Sequence, residues 1–194
     1  MTARVVGIDL SLASTGLAVA DPDGVRVHRV RSTGRKDATA LDTSLRLGRI
    51  AEQVEITTGP ADLAVIESPS FGSHTGSQHE RGGLWWDVVR RLVDRGIPIA
   101  TVSPPSRAKY ATGKGNAGKD EVLAAVVRRY PAVDVTGNDV ADAVVLAAMG
   151  CRWLGQPIDD LPKVNLAAMD GAKWPATVPQ LHGEPRTGVS GYVA

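Results

Sequence analysis

Residues 4–20 read RVVGIDLSLASTGLAVA, and they place one aspartate, Asp9, inside an otherwise apolar strand. We predict that residues 4–10 form the first strand and residues 16–20 the second. Aspartate is depleted in strand interiors, and a carboxylate that is buried without a partner costs free energy. Asp9 is therefore the first candidate functional residue.

The remainder of the chain alternates between predicted strands and helices. The turn Asp21-Pro22-Asp23-Gly24 leads into a third strand, so that the opening is an antiparallel meander. Hydrophobic periodicity then predicts a helix at 41–59, a strand at 63–67, a helix around 84–92, a strand at 97–102, a helical or irregular piece from 104, and helices at 120–130 and 139–153.

This order of elements predicts an α/β fold with a five-stranded mixed sheet, in which three antiparallel strands are followed by two parallel ones and helices flank the sheet. It matches the ribonuclease-H-like arrangement. In such a sheet the first and fourth strands are expected to be central neighbours.

Length and composition fit one globular domain. The 194 residues are 43% hydrophobic and 22% charged, with a formal net charge of +1. We expect a folded domain at residues 1–154 and an extended tail at 155–194, with Trp174 as its anchor. No membrane-spanning run or signal peptide is found, and the single cysteine cannot form an intrachain disulfide. A cytoplasmic protein without membrane contact is expected.

Three further carboxylates occupy apolar surroundings. Glu67 ends the run LAVIE, and Asp139 and Asp142 open a helix that is otherwise apolar through residue 149. Asp139 and Asp142 are three residues apart and so lie on one helix face. A divalent cation would compensate all four carboxylates, because Mg²⁺ and Mn²⁺ prefer carboxylate oxygens. Two ions roughly 3.5–4 Å apart can clamp the oxygens of a phosphodiester displacement.

Three of the four carboxylates, all except Asp9, also have a purely structural explanation. Asp139 is a candidate helix N-cap, with Asp142 favoured by the helix dipole in the first turn. Glu67, at a strand end, is a candidate for a solvent-exposed side chain. Taken together and in this order, however, the four favour a metal site.

Basic residues are concentrated between Pro104 and Pro131, where six bases face only Asp120 and Glu121. The six are Arg107, Lys109, Lys114, Lys119, Arg128 and Arg129. A basic region beside a metal site suits an enzyme that holds a polyanion, although an ordinary solvated surface fits equally well.

Five pieces of the sequence, in order, resemble the RuvC family of Holliday-junction resolvases, particularly its smaller phage-type members. They are GIDLSLASTGLAVA (7–20), LAVIES (63–68), QHERGGLWWDVV (78–89), PPSRAKYATGKGNAGKDEVLAAVV (104–127) and NDVADAVVLA (138–147). The resemblance spans about residues 4–154 and leaves the tail uncovered.

The resemblance implies a homodimeric, Mg²⁺-dependent endonuclease of DNA recombination and repair that cuts branched DNA, ideally by paired nicks across a four-way junction. The four carboxylates would hold one or two Mg²⁺ ions, with Mn²⁺ able to substitute. The family's two functional lysines fall on Lys109, which would position the DNA backbone, and Lys119, which would neutralise the scissile phosphate. Arg107 and Lys114 are further candidate DNA contacts.

The chain departs from the family in the position of the aromatic wedge, which the family commonly places just after the glutamate to open bases at the junction centre. Phe71 lies four residues after Glu67 and is either that wedge or a loop residue that packs against the domain. Flaps or forks therefore stay open as alternative substrates, as does a scaffold that binds branched DNA without cutting it.

The opening motif also resembles the first phosphate loop of sugar-kinase and actin-like ATPases. Those proteins need two such domains and a second phosphate motif, and this chain is too short for them.

Overall fold

Strand β1 occupies the centre of a five-stranded sheet in the computed structural model, which describes residues 1–69 and 77–176. The strands are β1 (Val5–Asp9), β2 (Ser14–Asp21), β3 (Gly24–Arg31), β4 (Leu63–Glu67) and β5 (Ile99–Val102). The helices are α1 (Ala40–Thr58), α2 (Gln78–Asp94), α3 (Pro104–Thr112), α4 (Lys119–Arg129), α5 (Asn138–Trp153) and α6 (Lys163–Leu166), followed by a 3₁₀ turn at Met169–Gly171.

The strand order is β3-β2-β1-β4-β5, which confirms the predicted mixed sheet. The first three strands pair antiparallel, whereas β1–β4 and β4–β5 pair parallel. Ile8 lies beside Ile66, so Asp9 and Glu67, the next residue of each strand, end their strands at the same edge of the sheet. The parallel pairing thus brings two of the four predicted carboxylates to one place.

The two faces of the sheet carry separate hydrophobic clusters. Alternate residues of β1 point to opposite faces, with Val5 packed towards α5 and Ile8 towards α1 and α2. Helix α5 is buried from Val140 to Cys151. Asp142 is the only ionisable carboxylate in that buried stretch, which marks its position as one that packing alone does not explain.

Two glycines allow α5 to pack directly on the sheet backbone. A Cβ added at Gly7 would lie 2.1 Å from the carbonyl oxygen of Ala143, and one at Gly16 would lie 2.0 Å from that of Asp139. Neither distance is tolerated by a real Cβ atom. The absence of side chains at Gly7 and Gly16 therefore allows α5 to lie close to the sheet and brings its first turn to the ends of β1 and β2.

Three local predictions are revised by the structure. The segment from Pro104 is a regular helix, α3, because Ser103 caps it and proline occupies its first positions. Strand β5 begins at Ile99 rather than at residue 97. Residues 155–176 are not simply extended, since they include α6 and the 3₁₀ turn.

The described part of the tail is fastened to the domain. Trp174 stacks on Trp153, with ring centroids 5.4 Å apart and an interplanar angle of 7°, which confirms it as an anchor. Lys173 adds two backbone hydrogen bonds to Thr101 of β5. Among the described residues, no helix is both long enough and apolar enough to cross a membrane.

Candidate active site

One cavity of about 770 Å³ opens at the edge of the sheet where β1 and β4 end. It is lined by residues from β1, β4, α2, α3, α4 and α5. The ionisable candidates on its wall are Asp9, Glu67, Arg107, Lys119, Asp139 and Asp142. The structure therefore brings all four predicted carboxylates and one of the two predicted lysines to a single cavity.

Asp9 is the last residue of β1 and lines this cavity. Its carboxylate has no hydrogen bond or ion pair with any other described residue. Burial, together with the negative charge of Glu67, raises the pKa of Asp9 to about 7, against the opposing effect of Arg107. The positive charges of the protein therefore offset the negative charge of the Asp9 carboxylate only in part.

Glu67 and Asp142 share one arginine. The Nε of Arg107 donates to Oε2 of Glu67, and its Nη1 forms an ion pair with Oδ1 of Asp142. Burial nevertheless raises the pKa of Glu67, because the desolvation of its carboxylate outweighs the attraction of Arg107. The indole of Trp85 donates to the carbonyl oxygen of Glu67 over 3.0 Å and so ties α2 to the end of β4.

Asp139 is held by an arginine of β3. Nε and Nη2 of Arg29 each donate to one of its carboxylate oxygens over 2.7 Å, and the Ser14 hydroxyl donates to it as well. Burial alone would raise the pKa of Asp139, but these hydrogen bonds outweigh it and the pKa is lowered. The alternative that Asp139 caps the helix is wrong, since Gly137 is the N-cap residue.

The predicted DNA contacts are distributed unevenly. Lys119, the first residue of α4, is exposed and lines the cavity. Lys109 does not line it, because it lies two residues after Arg107 on α3 and so points to another side of that helix. Lys114 is exposed and forms an ion pair with Glu121 over 3.1 Å. Phe71 falls outside the described residues, and the roles of all these residues stay predictions.

The residue types at this site fit a hard divalent cation, because four carboxylates line one cavity and the Asp9 carboxylate has no hydrogen bond or ion pair within the part of the chain that the structure describes. Within residues 1–69 and 77–176, however, no three acidic, histidine or cysteine side chains are grouped as a metal site. Arg29 and Arg107 instead hold three of the four carboxylates. Occupation by a metal ion would therefore require a rearrangement of side chains.

Three site residues were not singled out by the sequence pattern: Ser14, Arg29 and Trp85. Ser14 lies within the quoted opening motif, and Arg29 belongs to a basic run after the first hairpin. Their partners lie between 18 and 125 residues away along the chain, so only the folded structure reveals the contacts.

Comparison with known proteins finds relatives of similar sequence and structures of similar fold. The chain is 32% identical over 146 residues to the crossover junction endodeoxyribonuclease RuvC of Burkholderia thailandensis, covering 74% of this chain and 81% of the relative. It is 29% identical over 147 residues to the RuvC of Salinibacter ruber, covering 74% and 82% of the two chains. No protein-family model matches the chain.

Solved structures share the fold. Thermus thermophilus RuvC superposes with a TM-score of 0.62 at 21% identity, covering 79% of this chain and 97% of the other. The same protein in complex with a Holliday junction substrate gives 0.60 at 19% identity, with the same coverage. The yeast mitochondrial Holliday junction resolvase Ydc2 gives 0.54 at 13% identity, covering 80% of each chain.

Proposed function

We propose that this chain, which belongs to the RuvC family of crossover junction endodeoxyribonucleases, resolves four-way DNA junctions with the cavity at the ends of β1 and β4 as its active site. The observation that carries the proposal is the convergence of Asp9, Glu67, Asp139 and Asp142 on that cavity together with Lys119. These residues come from four separate elements, and two of them end neighbouring parallel strands. Packing alone does not require four acids at one place.

Asp9, Glu67, Asp139 and Asp142 would hold one or two Mg²⁺ ions, for which Mn²⁺ would substitute. A bound ion of this kind lowers the pKa of water and offsets the charge that develops on a phosphate under attack. Asp9 contributes a carboxylate that the protein itself leaves without a hydrogen-bonding partner among the described residues. Trp85 positions Glu67 by holding the backbone at the end of β4.

Lys119 would neutralise the scissile phosphate. It stands at the start of α4, where the positive end of the helix dipole also favours an anion. Its side chain is exposed at the rim of the cavity and is therefore accessible to a DNA strand. Lys114 would contact the DNA backbone nearby, and Lys109, which does not line the cavity, would contact DNA outside it. Arg107 is buried against Glu67 and Asp142 and would contact the backbone only after its release from these carboxylates.

Paired nicks across a junction need two active sites, and we propose a homodimer for that reason. The chain offers an apolar surface on the α1–α2 side, where Ile56, Trp86 and Val93 are 63%, 66% and 59% exposed. Large apolar side chains exposed on one side of a domain favour a protein contact. Sedimentation of the Trp86→Glu variant is expected to give a monomer, and a wild-type monomer would contradict the dimer.

The first experiment is cleavage of labelled four-way-junction, flap, fork and linear duplex DNA, each with Mg²⁺ and with EDTA. Metal-dependent, symmetric nicks in the junction are expected. Preferential cutting of flaps or forks would keep the nuclease and change its substrate. Binding of the junction without any cutting would favour the scaffold alternative. We also propose a cytoplasmic location, because the DNA of a bacterial or phage-infected cell lies in the cytoplasm.

A further inference from the structure

Arg107 occupies an unusual position for a residue of a basic, DNA-facing region. Its side chain is buried, with 9% of the residue exposed, and it points into the cavity rather than out of it. Two different nitrogens of one guanidinium contact two different carboxylates, Glu67 and Asp142. The proposed mechanism needs these same two carboxylates as metal ligands and leaves the arginine contact unexplained.

Charge compensation gives this contact a reason. Glu67 and Asp142 are largely removed from water, with side-chain exposures of 17% and 9%. Carboxylates in such surroundings need a cation to offset the free energy of desolvation. The fork of an arginine guanidinium presents several N–H donors and so reaches two carboxylates at once. Arg29 compensates the charge of Asp139 in the same way.

The contact is also in conflict with metal binding. A divalent cation bound by Glu67 and Asp142 would lie close to the guanidinium, and the two positive charges would repel each other. Arg107 contacts one oxygen of each carboxylate, Oε2 of Glu67 and Oδ1 of Asp142, and makes these two oxygens less available to a metal ion. The arginine and the metal therefore compete for this pair of carboxylates.

We infer that Arg107 is an internal counter-cation, which holds Glu67 and Asp142 in the metal-free protein and is displaced when a divalent cation binds. This inference rests on the proposed metal-dependent function and assigns Arg107 a positioning role. Only molecules in which the arginine has left the carboxylates can bind the metal. The apparent metal affinity is therefore the intrinsic affinity multiplied by the fraction of such molecules. Removing the guanidinium should therefore strengthen metal binding while it weakens the metal-free fold.

The test is calorimetric titration of Mn²⁺ into the full chain without DNA, combined with thermal melts in the presence and absence of Mn²⁺. Arg107→Gln is expected to bind Mn²⁺ about tenfold more tightly than the wild type, to melt at a lower temperature without metal, and to show a larger rise when Mn²⁺ is added. Arg107→Lys should fall between them, because an ammonium group does not bridge two carboxylates as a guanidinium does. The matched control is Arg128→Gln, an exposed arginine of α4 that does not line this cavity.

Unchanged or weaker Mn²⁺ binding in Arg107→Gln would overturn the inference. If that variant does not fold, Arg107→Lys decides by the same criterion. Asp9→Asn separates this inference from the proposed function: loss of Mn²⁺ binding in Asp9→Asn, with wild-type affinity in Arg107→Gln, would overturn only the role of the arginine. Absence of Mn²⁺ binding by the wild type would overturn both.

Discussion

Arg29 and Asp139 meet through two hydrogen bonds of 2.7 Å, although 110 residues separate them along the chain. The pair joins the strand β3 to the first turn of α5. It also fixes the orientation of one of the four carboxylates that line the cavity. The packing of α5 on the sheet and the chemistry of the site thus depend on the same contact.

Arg29→Ala is expected to destabilise the protein by about 1.5–3 kcal/mol, the range for hydrogen bonds to a charged group. The loss follows because Asp139 keeps its charge in a partly buried position without its principal donor. Denaturant unfolding of the wild type and the variant measures this difference. Arg29→Lys should recover only part of it, and equal stability of Arg29→Ala and the wild type would show that water replaces the arginine without cost.

Asp9→Asn is expected to abolish junction cleavage while it leaves junction binding largely intact. An amide is a weaker metal ligand than a carboxylate, whereas the DNA-contacting cations are untouched. The variant should also melt at a temperature no lower than the wild type in EDTA, since it removes a buried charge that lies near Glu67. Cleavage rates, gel-shift affinities and melts measure the three quantities, and retained cleavage would remove Asp9 from the active site.

Lys119→Ala is expected to slow cleavage strongly, by on the order of a hundredfold or more, because it removes a positive charge from the position proposed for the scissile phosphate. Single-turnover rates on a four-way junction measure the effect. Lys163→Ala is the matched control, since Lys163 is an exposed lysine at the start of a helix away from the cavity. Equal cleavage rates for Lys119→Ala and Lys163→Ala would show that Lys119 is an ordinary solvated lysine without a role in cleavage.

Gly16→Ala is expected to lower stability by at least about 1–3 kcal/mol, the usual cost of overpacking. The added methyl group would lie 2.0 Å from the carbonyl oxygen of Asp139, so that α5 must move away from the sheet. Gly48→Ala is the control in the opposite direction: it lies within α1 with open space around it, and alanine should stabilise the helix by up to about 1 kcal/mol. Chemical denaturation of both variants measures the contrast, and a neutral Gly16→Ala would show that α5 adjusts freely.

The fold was largely predictable because hydrophobic periodicity is a local property. Short apolar runs separated by turn signals in residues 4–31 and helical spacing at 41–54 indicate the correct element types, and the order of elements leaves few sheet topologies. The errors fall where local signals are weak. Pro104-Pro105 left α3 open between a helix and an irregular segment, and the prolines and glycines after residue 155 concealed α6.

The four carboxylates were identifiable because each one interrupts an apolar pattern, and such an interruption is visible in the sequence itself. Their convergence follows from parallel pairing of β1 with β4 and from the close packing of α5 over Gly7 and Gly16. The cations that face them could not be identified in the same way. Arginines are common on surfaces, and no local pattern distinguishes Arg29 and Arg107 from solvated residues.

The sequence alone therefore determined the types and order of the elements and the acidic residues that line the cavity. The tertiary structure decided which cation contacts which acid. Arg107 reaches Glu67 across 40 residues and Arg29 reaches Asp139 across 110. Such pairs form only after strand register and helix packing have brought distant segments together, since the attraction between charges depends on their separation in space and on their removal from water.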